Sequence, residues 1–280
     1  MTQDDLSLFK NKETYGLIQN HISEIENLEE EEAILLISKY ARIRQTLRDR
    51  LDLLGRDTFS AQRLRGALVQ VEAALLEMEA VLKSSMIDAA HKASIKGVDH
   101  LIKEINKFNE EFTGALIPID IDAVLISQDV NNLLLAKYEA SLRAYTEGMR
   151  SQVAGVLTNA AIEKANYADV IHRMSLFFRG EEWKLHRIAR TELSHVYNYS
   201  KQLGMFETKE RYVKDLKKTL IHPIDHRTGE DSKHVKMLNL IVDIEKPFHY
   251  TYKGKDRIFM TPPDRPNDRS IMVPYRDEWE

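Results

Sequence analysis

The sequence predicts an α+β protein in which long helices come first and a small sheet of short antiparallel strands follows. Residues 1–205 contain a single proline, Pro118, whereas residues 206–280 contain the other six. Because helix interiors reject proline, the first part can form long helices and the second part cannot. Apolar residues also recur every three or four positions through the first part, and short strand-like segments replace that pattern in the second.

Two series of apolar residues, each spaced as on one face of a helix, occur within the first hundred residues; we call them stripes. An acidic run at 29–32 suits a helix N-terminus, because carboxylates stabilise the positive end of the helix dipole. The first stripe follows this run and ends before Gly55, a residue type that commonly terminates helices. The second stripe alternates spacings of four and three, which is a heptad seam and predicts a helical partner. The stripes comprise Leu36, Tyr40, Ile43, Leu47, Leu51 and Leu54, and Leu64, Leu68, Val71, Leu75, Met78 and Leu82.

The sequence leaves two arrangements of these stripes open. In one, residues 30–110 form a protruding helical hairpin, turned at 55–57, that docks on another protein or on a neighbouring copy. In the other, the seam packs against helices predicted at about 129–157 and 162–178 in an ordinary bundle. The two arrangements differ in whether the seam belongs to the core of the same chain.

A helix predicted at 183–205 leads into the strand-rich part, and we place the boundary near Gly204. The turn at 253–256 joins the last two predicted strands in a hairpin. Prolines in the segment 261–275 forbid a helix and predict an extended clamp or loop. The predicted strands are 217–222, 240–244, 248–253 and 256–260. The predicted organisation is a helical arm or hairpin over 1–115, a helical region over 116–205, and a small α+β domain over 206–280 packed on helix 183–205.

Composition argues against several classes of protein. The chain contains no cysteine, so it has neither a disulfide framework nor a thiolate zinc site. Its longest apolar runs fall far short of the ~20 residues that span a membrane. Its first residues are acidic and polar, which argues against a secretory signal. With a formal net charge of −4, the chain lacks an overall basic footprint for nucleic acid, and only a local basic patch is compatible with such a partner.

The most informative stretch is RGEEWKLHRIARTELSHVYNYSKQLGMFE, residues 179–207. Its Arg-Ile-Ala-Arg-Thr-Glu segment, with Arg187, Arg190, Thr191 and Glu192, resembles the signature of the minor head, or head-morphogenesis, proteins of tailed bacteriophages, the Mu F-like family. Further pieces occur in the family's order, and the resemblance covers about residues 115–278. They are Pro118-Ile119-Asp120-Ile121-Asp122, Gly204 and Phe206, Asp225-His226-Arg227-Thr228, Pro247-Phe248, Pro266-Asn267-Asp268-Arg269 and Val273-Pro274.

The resemblance implies a structural minor head protein that associates with the portal vertex during procapsid assembly and acts in DNA packaging or ejection. The implied partners are the portal protein, the major capsid or scaffold protein, and packaged DNA. The implied location is the virion head, after assembly in the host cytoplasm, without a membrane partner or cofactor. Two alternatives stay open: a toxin-like enzyme of the nuclease or ADP-ribosyltransferase type, and a DNA-binding factor.

One departure from the family concerns metal binding. Many members carry two cysteine pairs that resemble a four-cysteine zinc site. The equivalent positions in this chain are Gly229, Ser232, Asp268 and Ser270, and none is a cysteine. Because one carboxylate and two hydroxyls are a poor zinc ligand set, we predict that the metal is lost. Asp268 is expected to pair with Arg227 or to cap a turn.

Glu192 and His195 lie one helical turn apart, and such a pair can perform acid–base chemistry. No nucleophile, glycine-rich phosphate loop or pair of metal-binding carboxylates accompanies them in the sequence. We predict instead that Glu192 accepts a salt bridge from an arginine of the sheet domain, and that no residue of the chain is catalytic.

Basic residues become frequent between positions 184 and 218, and aromatic residues lie among them. This composition suits phosphate contacts to DNA and suits an acidic protein surface equally well. Acidic neighbours such as Glu207 and Asp215 dilute the positive charge. The candidate residues for contact with DNA or a partner are Lys184, Lys201, Lys209, Arg211, Lys214, Lys217 and Lys218.

Overall fold

The fold consists of long helices followed by short antiparallel strands, so the predicted α+β class is confirmed. The computed structural model describes residues 12–52, 61–119, 128–222, 240–263, 265 and 268–279. Within them the helices are α1 (Lys12–Asp52), α2 (Ala61–Thr113), α3 (Gln128–Ile162), α4 (Tyr167–Arg179) and α5 (Glu182–Arg211).

Two helix ends differ from the sequence prediction. Helix α4 begins at Tyr167 rather than near position 162, because the side chain of Asn166 caps it and accepts a hydrogen bond from the backbone N–H of Asp169 at 2.9 Å. Helix α5 continues through Gly204 to Arg211, so it ends later than the position near Gly204 that the sequence predicts. Gly204 is buried inside the helix, and basic side chains in the last turn suit the negative end of the helix dipole.

The described residues contain five short strands in two antiparallel sheets. They are β1 (Lys217–Ile221), β2 (Ile241–Asp243), β3 (Phe248–Tyr252), β4 (Lys255–Phe259) and β5 (Ile271–Tyr275). One sheet has the order β2-β1-β5, and β3 and β4 form a separate hairpin. The hairpin turn places Lys253 at φ 50° and Gly254 at φ 72°, as a two-residue type I′ turn requires. The four predicted strands and the hairpin are therefore confirmed.

Strand β5 lies within the proline-rich segment for which an extended clamp or loop is predicted. It pairs with β1 at the edge of the sheet, where Pro274 lies opposite Lys218. An edge strand tolerates proline because its missing N–H has no second neighbouring strand to serve. The backbone N–H of Met272 donates to Oδ1 of Asn198 in α5 at 2.7 Å. The helix thus supplies a side-chain acceptor to this edge strand.

The chain folds into two compact units, each built from segments that are distant in sequence. Unit 1 comprises Met1–Glu29, Ala89–Asn132 and Arg190–Glu280, and unit 2 comprises Glu30–Asp88 and Leu133–Ala189. These units divide the chain differently from the consecutive segments predicted, because four of the five helices contribute residues to both units.

Unit 2 has an apolar core that contains most residues of both predicted stripes; Leu54 lies outside the described residues. Its buried members include Leu36, Tyr40, Ile43, Leu47 and Leu51 of α1, Val71, Leu75, Met78 and Leu82 of α2, Met149, Val153 and Leu157 of α3, and Val170, Met174 and Phe178 of α4. The heptad seam is therefore covered by α3 and α4. The ordinary bundle is the arrangement that the structure adopts, and the protruding hairpin over 30–110 is wrong, because its seam is already buried within the chain.

Candidate functional site

Two signature segments of the sequence attach to the same helix in unit 1. Arg269, in the segment between β4 and β5, places Nη1 2.8 Å from Oε1 of Glu26 on α1. Arg190, near the start of the unit 1 part of α5, places Nε 3.7 Å from Oε2 of the buried Glu29. Because Glu26 and Glu29 are three positions apart, they lie on one helical face. The structure thus brings Arg190 and Arg269 together on a helix for which the family resemblance gives no counterpart.

The other signature residues of α5 lie along the same helix. Arg187 belongs to unit 2, where its guanidinium carbon lies 4.6 Å from the centre of the Trp183 ring, a cation–π contact. Thr191 and Glu192 belong to unit 1 and are half-buried. The salt bridge from Glu192 to an arginine of the sheet domain stays a prediction.

The segment before β5 is held by a short hydrogen-bond chain. Oδ1 of Asp268 accepts bonds from the backbone N–H of Ser270, at 3.0 Å, and from the Ser270 hydroxyl. Nδ1 of His222 lies 2.5 Å from Oγ of Ser270. Because the single hydroxyl proton goes to Asp268, the Nδ1–H of His222 donates to Oγ. Asp268 therefore caps a turn, which is one of its two predicted roles.

This chain of His222, Ser270 and Asp268 orients a loop and does not activate a nucleophile. A nucleophilic serine gives its proton to histidine, whereas Ser270 accepts a hydrogen bond from His222 and gives its proton to a carboxylate. Ser270 is also 1 % exposed. Among the described residues, no three His, Asp or Glu side chains are placed to hold a metal ion. Several predicted site residues lie outside the described residues: Asp225, Arg227, Thr228, Gly229, Ser232, Pro266 and Asn267.

A second polar cluster, which the sequence analysis missed, lies where α1, α2 and α5 meet in unit 1. Nζ of Lys201 lies 2.7 Å and 2.6 Å from the two carboxylate oxygens of Glu104. Nδ1 of His21 lies 2.9 Å from Oε1 of the same carboxylate. Lys201 and Glu104 are both 0 % exposed and His21 is 2 % exposed. The three side chains form a buried ion pair with an added imidazole, and we call them, with His100 and Tyr197, the buried cluster.

His100 extends the buried cluster toward the surface. Its ring stacks on that of His21, with centroids 3.7 Å apart and planes 5° apart. Its Nδ1 lies 2.9 Å from the hydroxyl of Tyr197, and its Nε2 lies 3.3 Å from Oε2 of Glu24. Glu24 is half-exposed and also pairs with Lys96 at 2.5 Å. Through His100, the buried cluster therefore contacts a solvent-accessible carboxylate that is not itself a member of it.

Burial and charge set the protonation states of the buried cluster. Burial raises the pKa of Glu104, but the Lys201 ammonium and the His21 hydrogen bond outweigh it, so the pKa lies below its ordinary value. Burial lowers the pKa of Lys201, and Glu104 offsets only part of that effect. Burial, together with His21 and Lys201, lowers the pKa of His100 to about 4. His100 is therefore neutral at neutral pH and stacks beside an ion pair.

The buried cluster is suited to fixing helices and not to turning over a substrate. Its five side chains are at most 2 % exposed, so a reactant has no access to them. A buried ion pair with ideal geometry instead favours one alignment of its helices over other alignments, because the charges lose their partners when the helices shift. The sequence does contain a signal for it: His100 and Glu104 are four positions apart among the apolar Val98, Leu101 and Ile105 of α2.

Two residues of the predicted contact set are wrong as surface contacts, because both are buried. Lys201 belongs to the buried cluster. Lys218 is 0 % exposed, and its Nζ donates to Oε1 of Gln202 at 2.8 Å and to the carbonyl of Met260 at 2.9 Å. The ammonium also lies 4.9 Å from the centre of the Phe248 ring. Burial lowers the pKa of Lys218 to about 8.

The remaining predicted contact residues are at least partly accessible, and most of them pair with carboxylates. The pairs are Lys184 with Glu181 at 2.6 Å, Lys209 with Glu245 at 2.7 Å, Arg211 with Glu207 at 3.2 Å, and Lys217 with Asp277 at 2.6 Å. Lys214 is exposed. Intramolecular partners therefore neutralise much of the basic character that the sequence shows between positions 184 and 218.

No protein-family model, no curated protein and no solved structure matches the chain. Along the described part of the chain, every helix is too short or too polar to cross a membrane.

Proposed function

We propose that the chain is a structural minor head protein of a tailed bacteriophage that associates with the portal vertex during procapsid assembly. The observation that carries the proposal is the attachment of two signature segments to one face of α1, through Arg190 to Glu29 and Arg269 to Glu26. A structural protein must hold one shape, and ion pairs between segments that are distant in sequence help to hold it. The sequence resemblance supplies the phage context, and these contacts give its signature residues a structural role.

The chemistry of the polar groups favours a structural role over an enzymatic one. In the described residues, the two sets of side chains most suited to catalysis are the buried cluster and the His222–Ser270–Asp268 chain. In each set the side chains are buried and hydrogen-bonded to one another. Polar networks buried in this way favour one packing arrangement, and they leave little access for a reactant.

The proposed partners are the portal protein and, beside it, the major capsid or scaffold protein. Packaged DNA is a further proposed partner through exposed cations such as Lys214. The proposed location is the virion head, at the portal vertex. Action in DNA packaging or ejection follows from that position.

The proposal is tested by mass spectrometry of purified procapsids and virions from the phage that encodes the chain, with chemical crosslinking to identify neighbours. We expect the chain to co-purify with portal-containing particles and to crosslink to the portal. Absence from both particles, together with turnover of a nucleic acid or nicotinamide substrate by the purified chain, would establish the enzymatic alternative.

A charge-swap series links this test to the structure. Glu26→Arg places two cations side by side, so we expect it to loosen unit 1 and reduce incorporation into particles. Glu26→Arg combined with Arg269→Glu restores opposite charges, and we expect it to restore both properties. Restored stability without restored incorporation would assign Arg269 to a partner contact instead of an internal tie.

A further inference from the structure

Unit 2 contains an open cavity between α1 and α4 that the proposed function does not use. Its volume is about 170 Å³, and Arg44 and Arg48 of α1 are among the residues that line it. We call this cavity the arginine notch. It lies within unit 2, so its walls come from a single packed bundle.

The floor of the arginine notch is apolar. It is lined by Leu47 and Leu51 of α1 and by Met174 and Phe178 of α4, and each of these side chains is at most 5 % exposed. An apolar cavity of about 150 Å³ accepts a benzene molecule. The notch is thus large enough for one phenylalanine, leucine or methionine side chain and too small for a long acyl chain.

The rim of the arginine notch is positively charged. Residues 39–50 carry five basic side chains and one acidic side chain. Arg48 is exposed, and no carboxylate among the described residues pairs with it. Arg44 lies 3.4 Å from Glu182, and the two side chains are 38 % and 40 % exposed. A pair this exposed contributes little, so an incoming carboxylate can replace Glu182.

We infer that the arginine notch is a docking site for an acidic segment of a partner protein. One large apolar side chain of that segment enters the notch, and a neighbouring aspartate or glutamate pairs with Arg48. Charge complementarity at the rim and the size of the apolar floor together specify this occupant. Gln45 and Ser175 also line the notch, so the backbone of the docked segment has hydrogen-bond partners at its wall. The inference is independent of the phage-head proposal, since it concerns a different unit and different residues.

The test uses fluorescence anisotropy with the full chain and a fluorescein-labelled peptide that has acidic residues on both sides of a single phenylalanine. We expect saturable binding, weakened about tenfold or more when the phenylalanine is replaced by alanine. Arg48→Glu is expected to weaken binding to a similar extent. Ser175→Trp, which fills the notch from α4, is expected to abolish the difference between the two peptides.

Arg42→Glu is the matched control, because Arg42 is an exposed arginine on the same helix but does not line the notch. We expect it to change the affinity by less than about threefold, through long-range charge alone. Equal loss with Arg42→Glu, no effect of removing the phenylalanine, or no binding up to about 1 mM peptide would each overturn the inference. Tighter, Arg48-dependent binding of an oligothymidylate would overturn it in favour of a nucleic-acid site. Circular dichroism of each variant checks that the helices are retained.

Discussion

The two units bury very different kinds of side chain. In unit 2, the buried polar residues among those described are Glu32, Ser85, Thr146 and Glu181, and the rest of the core is apolar. Unit 1 instead buries a lysine–glutamate pair, two stacked histidines and Lys218 of its three-stranded sheet. Apolar cores tolerate substitutions that conserve volume. Buried charges do not, because each depends on a particular partner.

The difference indicates that the two units favour their packing arrangements through different kinds of contact. Unit 2 obtains its stability from a broad apolar surface to which every helix contributes interchangeable residues. Unit 1 also buries apolar residues such as Leu101, Ile105 and Phe108, but it adds polar contacts that each depend on a particular partner. Mutations of equal size should therefore have unequal effects in the two units.

The largest difference is expected when one fully buried residue of each unit is replaced by methionine. Lys201→Met removes the partner of a buried carboxylate in unit 1, so we expect a loss of about 3–5 kcal/mol in the free energy of unfolding. Leu82→Met replaces an equally buried side chain of unit 2, and we expect a loss of less than about 1.5 kcal/mol. Urea denaturation measures both. The double variant Glu104→Leu with Lys201→Met should recover part of the loss, and comparable costs for the two single variants would refute the contrast.

The next effect is a loss of stability at low pH, caused by the buried His100. The ordinary pKa of histidine is about 6.5, and that of His100 in the folded chain is about 4, so between these values the unfolded chain binds the extra proton. The stability present above pH 6.5 is therefore lost as the pH falls toward 4, by at most about 1.4 kcal/mol per pH unit. Urea midpoints from pH 7 to pH 4.5 measure this loss. His100→Gln should flatten the profile, whereas His91→Gln, at an exposed position of α2, should leave it unchanged.

A smaller contrast involves glycines inside helices. A Cβ at Gly97 of α2 would lie 2.5 Å from the carbonyl oxygen of Tyr197 in α5, so the two helices would have to separate. We expect Gly97→Ala to cost about 1–3 kcal/mol. Gly155 of α3, in unit 2, has open space at the same position, and Gly155→Ala should stabilise the chain by roughly 0.5–1 kcal/mol. Thermal melts compare the two, and a neutral Gly97→Ala would show that the helices adjust freely.

The smallest effects are expected at the accessible cations of unit 1. Lys209→Ala and Lys217→Ala each remove an accessible ion pair, and such pairs contribute little to stability. If these lysines also contact a partner, their loss should reduce incorporation into particles far more than it reduces the melting temperature. Normal incorporation of both variants would leave them with a purely internal role.

Local features of the sequence predicted much of the fold. The proline distribution and the apolar stripes identify the helices, and the turn at Lys253 and Gly254 identifies the hairpin, because these signals act between near neighbours. Strand β5 was missed, since prolines indicate loops unless the strand lies at an edge, and its pairing with β1 joins distant positions. A heptad seam likewise does not reveal which helix covers it, so the sequence alone could not distinguish the protruding hairpin from the bundle.

The sites were predicted less well than the fold. The predicted signature residues Arg190 and Arg269 both pair with carboxylates of α1. The sequence did not predict these partners, because the resemblance does not extend to that helix. The buried cluster was missed for a related reason. His21, Glu104 and Lys201 come from three helices and are joined across 83 and 97 positions. From the sequence, Lys201 lies in a basic stretch and is therefore predicted as a surface contact, because its distant partner Glu104 is not known.

The tie between Arg269 and Glu26, which joins positions separated by 243 residues, has a consequence for synthesis on the ribosome. All residues of unit 2 have been translated once Ala189 is added, whereas unit 1 also needs the segment Arg190–Glu280. At 5–20 residues per second, that segment takes roughly 5–18 s to translate. During this interval Glu104 lacks Lys201 until that residue is added, and Glu26 lacks Arg269 until nearly the whole segment is made. We therefore expect unit 1 to reach its final fold only after Arg269 has been translated, later than unit 2.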